Sequence, residues 1–423
     1  MKNDRIISVD ILRGMTILLM IIVNNPGNWG AVYTPLLHAK WNGCTPTDLV
    51  FPTFIFVLGI AIPLAMPKKT WNQETFIKII TRTLRIISLG LFLNFFSKIF
   101  IFSDNQILLL FVRLSITILL GYALLGNFNP KVKLLLAVSI FTILLFLAYS
   151  GIESFKDVRL PGVLQRIGIV YLIATVIYLK TELETQIGIT IALLIGYWAL
   201  LTIIPVPGIE TPNFNEGTNL SAWLDNFLLE GHMYGATKTW DPEGILSTLP
   251  AIATAIIGLI IGKLILTNES KIEIIKKMAA AALVLTATGL LWSFVFPLNK
   301  SLWTSSYVLY SAGIALFILT ILHYITEVKG AKKGSFFFLI WGVNPMIVFF
   351  LSGILPRALG MITFPNPENA DAKISVLSYA YQFWINPNFD NEKSASLTYA
   401  LLYACLWSLL LWFFYKKKLF FKV

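Results

Sequence analysis

Residues 23–52 read VNNPGNWGAVYTPLLHAKWNGCTPTDLVFP, and they join the first two strongly hydrophobic segments of the chain. This connection holds His38, which is one of only three histidines, and Asp48 opens the hydrophobic segment that follows. A polar, aromatic-containing connection between two apolar segments can place chemistry at the boundary between water and lipid. The rest of the sequence is interpreted as a membrane scaffold around this connection.

The composition indicates a membrane protein rather than a soluble one. Of the 423 residues, 57% are hydrophobic and 13% are charged, and the mean hydropathy is +0.75. Apolar runs of roughly 18–22 residues recur along the chain, and each is long enough to cross a hydrocarbon core of about 30 Å. The predicted spans are 7–25, 47–66, 76–97, 105–126, 132–150, 160–180, 186–204, 245–266, 277–296, 303–323, 335–355 and 397–415. The sequence therefore predicts an all-α polytopic helix bundle of about twelve spans, in a single domain covering 1–423.

The net charge of +11 is explained by membrane orientation and does not require a nucleic-acid partner. Lys and Arg accumulate in cytoplasmic loops, and the loops on one side of the predicted bundle are short and basic. Their cations are Lys2, Arg5, Lys68, Lys69, Lys131, Lys133, Lys180, Lys271, Lys276, Lys277, Lys329, Lys332, Lys333, Lys416, Lys417, Lys418 and Lys422. Both termini are therefore predicted to be cytoplasmic, and the first span is predicted to be a retained anchor.

The outer side of this predicted topology carries the 23–52 connection and two long loops, at about 205–244 and 356–396. Both loops are rich in Pro, Asn, Gly and aromatic residues, which predicts ordered loops or caps rather than linkers between domains.

Polar residues on the predicted outer side are the first candidates for chemistry. His38 suits a general base or an acyl-accepting nucleophile, although a histidine hydrogen-bonded in an interfacial loop has the same pattern. Asp48 ends a Thr45-Pro-Thr-Asp48 capping box, and Asp241 with Glu243 is typical of another helix start. Capping explains both aspartates; alternatively, the outer carboxylates gather and hold a cationic amine. Two cysteines and three scattered histidines predict neither a disulfide framework nor a metal site.

Arginines inside the predicted spans form the second set of candidates. Charges at membrane depth are costly and usually face a partner or a water-filled cavity. Arg13 lies three residues from Asp10, so an ion pair is the simple explanation, and Arg82 and Arg85 could snorkel. Alternatively, these three arginines and Arg166 converge on an inner vestibule that binds an anionic cofactor, because guanidinium groups bind phosphate bidentately.

Several motifs occur in the same order as in a known family and cover nearly the whole chain. They are Ser8-Val-Asp-Ile-Leu-Arg-Gly14, Ile22-Val-Asn24, His38-Ala-Lys-Trp-Asn-Gly43, Asp48-Leu-Val-Phe-Pro52, Arg159-Leu-Pro-Gly-Val-Leu-Gln-Arg166, Asp241-Pro-Glu-Gly-Ile-Leu246, Asn299-Lys-Ser-Leu-Trp303, Ser306-Tyr307 and Asn344. Through them the chain resembles the lysosomal heparan-α-glucosaminide N-acetyltransferase family and its bacterial membrane relatives, some of which have been described as N-acetylglucosamine transporters.

The resemblance implies an integral acetyltransferase that takes acetyl-CoA from the cytoplasmic side and delivers the acetyl group to an amino sugar on the other side. It implies that His38 is the active histidine and that Asn24 acts with it. The matched motifs also nominate residues for the amino-sugar or glycan acceptor, namely Trp41, Asn42, Asp48, Asp241, Glu243, Lys300, Trp303, Tyr307 and Asn344. The expected setting is the bilayer of a bacterial cytoplasmic (inner) membrane, without a metal. Members of the family tend to be dimers, so a homodimer is one expected state.

The region 105–150 departs from the family, because it contains two apolar spans that the lysosomal members lack. It is therefore predicted to be an inserted helix pair.

Two other functions stay open from the sequence. An amino-sugar permease is favoured by the number of spans with both ends inside, which is a common transporter layout, but it gives no reason for the motif around His38. A structural or assembly factor leaves both the histidine and the asparagine unexplained.

Overall fold

The computed structural model describes residues 6–331 and 333–420, so Lys2, Arg5, Lys332 and Lys422 of the predicted cytoplasmic set lie outside the described residues. Within the described ranges the chain forms fifteen α-helices and one two-stranded sheet. The helices of the first half are α1 (Ile7–Asn24), α2 (Val50–Ala65), α3 (Gln73–Phe96), α4 (Gln106–Leu125), α5 (Pro130–Ala148), α6 (Val163–Lys180), α7 (Leu183–Ile203) and α8 (Leu220–Leu229). Those of the second half are α9 (Thr248–Ile265), α10 (Lys271–Trp292), α11 (Ser305–His323), α12 (Ser335–Val343), α13 (Pro345–Gly360), α14 (Val376–Tyr379) and α15 (Glu392–Lys416).

Membrane-spanning length and composition confirm the predicted class of fold. In the described part of the chain, ten helices are long and apolar enough to cross a membrane, and α12 with α13 would add an eleventh. Helix α3, 24 residues long, is not among them and packs against α5 and α6. The structure is thus an integral-membrane helix bundle, with which about twelve spans are compatible. The most buried spans are α2 and α9, and α4 and α5 are the least buried.

The predicted span 335–355 is not one straight helix. Helices α12 and α13 meet at an angle of 77°. The break falls at Asn344, which has φ −122° and ψ 45°. Pro345 follows it, and a proline has no N–H to donate and disfavours a helical conformation in the residue before it. The single predicted helix is therefore corrected to a broken pair.

The long loops are ordered, as predicted. Residues 205–244 contain α8. Residues 356–396 contain the antiparallel strands β1 (Thr363–Asn366) and β2 (Asn369–Ser375), where Thr363 pairs with Ser375, and then α14.

Contacts between connections define the two ends of the bundle. At one end, here called the site face, Trp41 Nε1 donates to the carbonyl oxygen of Phe214 at 2.8 Å. At the other end, here called the opposite face, Lys69 pairs with Glu182 at 2.5 Å. Helix α1 starts at the opposite face and α15 ends there, so both ends of the described chain lie at one face, as the topology prediction requires. Which face is cytoplasmic stays a prediction.

The predicted inserted pair forms a hairpin of α4 and α5 that packs mainly against α3. Most of α4 faces outward, with Ile107, Phe111, Ile118 and Leu119 exposed. These side chains suit contact with lipid. Whether the pair is an insertion stays a prediction.

Close approach of α2 and α9 depends on glycine. Gly59 of α2 lies against the backbone of Ala255, and Gly258 of α9 lies against the backbone of Phe56. With Gly262, the α9 glycines form a small-xxx-small pattern, which lets two membrane helices approach closely. In this protein the pattern lies at the contact between α9 and α2 inside the bundle.

Replacing Gly59 by Ala is expected to destabilise the protein by about 1–3 kcal/mol, because the added Cβ would overlap the carbonyl oxygen of Ala255. The measurement is the thermal midpoint in detergent. The matched control is Gly188→Ala in α7, where an added Cβ meets no atom within 4 Å. Equal midpoints for the two variants would contradict the packing argument.

Candidate active site

The connection between α1 and α2 folds around the carboxylate of Asp48, which is 1% exposed. One carboxylate oxygen accepts hydrogen bonds from the Ala39 N–H and from the backbone N–H and hydroxyl of Thr45, each at 3.0 Å. The Asp48 N–H lies 3.4 Å from the Thr45 hydroxyl. These are the reciprocal contacts of the predicted capping box. Asp48 is therefore held in place before any partner in the cavity is considered.

The other carboxylate oxygen of Asp48 lies 2.7 Å from Nδ1 of His38. A carboxylate can only accept a hydrogen bond, so this contact places the imidazole proton on Nδ1 of a neutral ring and leaves the lone pair on Nε2. The His38 side chain is 49% exposed, so the ring is reachable. Capping and histidine orientation are thus two uses of one carboxylate.

Lys300 is the second neighbour of the imidazole. Its Nζ lies 3.1 Å from both ring nitrogens of His38. Burial lowers the pKa of the Lys300 ammonium, and the carboxylates of Glu243 and Asp48 oppose that effect. The ammonium of Lys300 therefore lies beside the imidazole, within reach of a group that reacts at His38.

A cavity of about 260 Å³, here called the reaction cavity, opens beside His38. Asn24, at the end of α1, lines it together with Glu243 and Lys300. Much of the remaining wall is apolar, including Met20, Val50 and Phe349. The two residues assigned to catalysis by resemblance, His38 and Asn24, therefore share one cavity.

An ion-pair cluster closes one side of the reaction cavity. The guanidinium of Arg159 bonds both oxygens of Asp241, at 2.8 and 2.5 Å, and Glu243 at 2.5 Å. It also lies over the ring of Tyr234, 4.7 Å from the centroid. Burial opposes ionisation of Glu243, but the Arg159 charge holds the pKa of Glu243 below its usual value. Glu243 lines the cavity as a carboxylate already paired with a cation.

The predicted roles of Asp241 need correction. Its side chain is fully buried and paired with Arg159, so it does not face the cavity. It does not cap a helix either, because α9 begins only at Thr248. Instead one Asp241 oxygen accepts the Glu243 N–H at 2.9 Å and shapes the intervening turn.

Four other nominated residues support the site from outside the cavity. Trp41 packs edge-on against Trp240, with centroids 5.2 Å apart, and Asn42 accepts a hydrogen bond from Asn299 at 3.2 Å. The hydroxyl of the fully buried Tyr307 donates to the Asp48 carbonyl oxygen at 2.5 Å. Trp303 is 1% exposed and donates to Thr254. Contact of Trp303 and Tyr307 with an acceptor is therefore wrong for this geometry, because both side chains lie in the core.

Asn344 is the one nominated acceptor residue at the other end of the molecule. Its side-chain amide donates to the Leu419 carbonyl oxygen at 3.0 Å, near the opposite face. The helix break that follows Asn344 explains its environment better than a sugar does.

The four predicted vestibule arginines do not converge. Arg13 and Arg82 line a cavity of about 310 Å³ that approaches from the opposite face, here called the opposite cavity. Arg13 also forms the predicted pair with Asp10, at 2.9 Å. Arg85 instead donates to the Leu124 carbonyl oxygen, and Arg166 lies near the site face, where it bonds Ser247 at 2.5 Å. Arg166 lies near the site face because it belongs to the first turn of α6, whereas Arg85 points towards α4.

Two residues that hold the candidate site together are not singled out by the sequence. Arg159 lies in a matched motif without an assigned role, and its charge is what pairs Asp241 with Glu243. Asp225 on α8 accepts the Ile245 N–H at 2.9 Å, and burial raises its pKa to about 6. No motif marks Asp225. Its contact with the 241–247 turn depends on how α8 packs, which the sequence does not reveal.

Cys44 lies close to His38 in sequence but is expected to be inert. Burial, with the nearby Asp48 charge, raises the pKa of its thiol to about 12, so almost no nucleophilic thiolate exists at neutral pH. Cys44→Ala should keep the activity implied by the resemblance within about twofold of wild type. A loss greater than tenfold in a radiolabelled acetyl-transfer assay would contradict this prediction.

A family model described as "Domain of unknown function (DUF5009)" matches residues 5–234, more than half of the chain. This chain belongs to the DUF5009 family. The matched part of the DUF5009 protein contains the whole 23–52 connection and Arg159.

Two curated relatives carry a more informative name. Heparan-alpha-glucosaminide N-acetyltransferase of Homo sapiens is 28% identical over 475 residues, covering 99% of this chain and 60% of the human protein. The enzyme of that name from Mus musculus is 26% identical, covering 99% of this chain and 61% of the mouse protein. The DUF5009 protein thus spans about three fifths of the length of these relatives. The family resemblance predicted from the motifs is confirmed.

Proposed function

We propose that this protein is a transmembrane acetyltransferase that moves an acetyl group from cytoplasmic acetyl-CoA to the amine of a glucosamine-type sugar at the outer face. The observation that carries the proposal is the His38 imidazole, bonded through Nδ1 to the buried Asp48 and lining the reaction cavity with Nε2 free of that carboxylate. The name of the two relatives supports acetyl as the transferred group and an amino sugar as the acceptor.

The chemistry at His38 has two balanced routes. In the direct route, Nε2 removes a proton from the sugar ammonium, the amine attacks the thioester carbonyl, and the C–S bond breaks as the C–N bond forms; the thiolate leaves and is protonated as CoA thiol. In the covalent route, Nε2 attacks the thioester carbonyl, the C–S bond breaks, and CoA leaves as a thiolate that takes a proton from water. The sugar ammonium loses a proton to water, the free amine attacks the acyl-imidazolium, its second proton goes to water, and neutral His38 is released. In either route Asp48 stabilises the imidazolium or acyl-imidazolium, and the Asn24 amide would stabilise the developing oxyanion.

A path for the acyl donor is supported by the alignment of two cavities on the same helices. On α2, Val50 lines the reaction cavity and Phe54 the opposite cavity; on α6 the corresponding residues are Val163 and Ile167. At a rise of about 1.5 Å per residue, one helical turn of roughly 5–6 Å separates the two cavities. A slender thioester arm entering from the opposite face would have to displace only this apolar wall.

The proposed sidedness rests on charge. The connections at the opposite face carry several lysines, among them Lys68, Lys69, Lys180, Lys271, Lys276, Lys277 and Lys329. Under the positive-inside rule this face is cytoplasmic. Arg13 and Arg82 in the opposite cavity would then meet the polyanionic coenzyme from the side on which it is made.

The experiment uses proteoliposomes with glucosamine enclosed and labelled acetyl-CoA added outside. Label recovered as N-acetylglucosamine inside, dependent on the protein, is the expected result. Absence of labelled sugar under conditions in which the folded protein binds acetyl-CoA would overturn this acceptor. Glucosamine counterflow in the absence of acetyl-CoA would favour the permease instead.

A further inference from the structure

A second chamber at the site face joins the reaction cavity from the side. It has a volume of about 430 Å³ and is lined by α1, α3, α13 and the chain leading into α6. It shares five lining residues with the reaction cavity, which are Met20, Asn24, Arg159, Val163 and Phe349. Helix α2, which forms part of both cavities along the donor path, contributes nothing to its lining. The side chamber therefore joins the reaction cavity from a direction other than that of the donor path.

The lining of the side chamber is rich in amides. The side-chain NH₂ groups of Asn25, Asn94 and Gln165 donate to the backbone carbonyl oxygens of Ile21, Arg159 and Leu160, at 2.7, 2.7 and 3.0 Å. Each NH₂ group thereby bonds the backbone, and each amide oxygen can accept a hydrogen bond from a ligand. Three acceptor oxygens on different elements can together bind a ligand that carries hydroxyl or ammonium donors.

Two glycines keep one of these amides in place. A Cβ added to Gly162 would lie 2.8 Å from the Gln165 side-chain oxygen, and one added to Gly90 would overlap the same oxygen. Gly162 also has φ 158°, which L side chains rarely adopt. Glycine at these two positions therefore leaves the space that the Gln165 side chain occupies.

The side chamber opens at the site face, and its amides favour an occupant that returns their hydrogen bonds. The opposite cavity differs, because it is lined mainly by apolar side chains such as Val57, Leu58 and Ile62. Arg357 adds a guanidinium to the side chamber, bonded to the Gly353 carbonyl oxygen at 2.6 Å. Its remaining N–H groups suit ring or hydroxyl oxygens.

We propose that the side chamber is the acceptor site and binds the polyhydroxylated ring of the sugar. Hydroxyl groups of the ring donate to Asn25, Asn94 and Gln165, and the ring amine passes Asn24 to reach His38. This inference rests on the proposed function for the reaction, and it adds where the sugar lies and which residues select it. The donor arm and the acceptor ring then reach His38 by separate routes.

The test compares two amines with six-membered rings. Glucosamine carries the hydroxyl groups, and cyclohexylamine lacks them. In Asn94→Leu and Gln165→Met, the ratio of kcat/KM for glucosamine to that for cyclohexylamine is expected to fall about tenfold, since each lost hydrogen bond removes a contact that only the sugar makes. The matched control is Asn388→Leu, whose amide also donates to a backbone carbonyl oxygen, of Trp384 at 2.8 Å, outside the side chamber.

Direct binding of glucosamine, measured by isothermal titration with the same proteins in detergent, separates this inference from the reaction itself. Binding to wild type that weakens about tenfold in the chamber variants but not in Asn388→Leu supports the chamber even if no acetyl group is transferred. Transfer by wild type with an unchanged selectivity ratio in both chamber variants overturns the chamber and leaves the proposed function standing. If folded wild-type protein neither binds glucosamine nor transfers an acetyl group to it, both the side-chamber proposal and the proposed function are overturned.

Discussion

Replacing His38 by Ala is expected to lower acetyl transfer to glucosamine by roughly 10²- to 10⁴-fold. The imidazole lines the reaction cavity and is bonded to a buried carboxylate, so its removal takes away the base or acyl acceptor and leaves the apolar wall of the donor path untouched. The measurement is the initial rate of label transfer from acetyl-CoA, together with binding of acetyl-CoA, which should be largely retained.

The control for this variant is His232→Gln. His232 also lies at the site face, but its Nδ1 contacts the Val158 carbonyl oxygen at 2.8 Å and its ring packs against Tyr149. Glutamine can keep a hydrogen bond to that carbonyl, so transfer should stay near the wild-type rate. A His38→Ala protein that turns over within about tenfold of wild type would refute the role of His38.

Asp48→Asn is expected to produce the second large loss, of roughly 10²-fold or more. Asparagine keeps an oxygen for the N–H groups of Ala39 and Thr45, so the connection should hold its shape. It also offers an NH₂ group to Nδ1 of His38. The imidazole proton then moves to Nε2, and the nitrogen needed for proton removal or acyl acceptance is blocked.

The readout that separates this effect from misfolding is the tautomer of His38. The chain has three histidines, so nitrogen-15 histidine labelling gives few resonances, and His38→Ala assigns the relevant one. Wild type should show a proton on Nδ1, and Asp48→Asn a proton on Nε2. Asp104→Asn, at an exposed position before α4, serves as the charge-matched control. An unchanged tautomer or an unchanged rate in Asp48→Asn would count against the orienting role.

The membrane scaffold could be predicted from sequence because it depends on local composition. Each predicted span falls on a helix or on the broken pair α12–α13, since length and apolarity alone decide what can cross a bilayer. The contact between His38 and Asp48 was also within reach, because the two residues are ten positions apart in one connection with a capping signal. Both features need only neighbours in the chain.

Features that depend on distant packing could not be predicted. The partners of Arg166 come from distant parts of the chain: its guanidinium lies 5.0 Å from the Trp303 ring and bonds Ser247. Trp303 has φ 54°, a left-handed conformation that no sequence pattern announced. Asp225 gains its role only where α8 meets the turn before α9. The sequence therefore nominated His38, Asp48, Asp241 and Glu243, but it did not nominate Arg159 or Asp225 or reveal the contacts that join these groups.

The apolar wall between the two aligned cavities has a consequence for the energised membrane. Phe51, Phe54, Ile167 and Phe349 line the cavities on its two sides, and a constriction of such side chains excludes a continuous file of water. Protons and ions then have no continuous aqueous path through the bundle, although cavities enter it from both ends. A membrane that contains this protein would therefore keep its ion gradients.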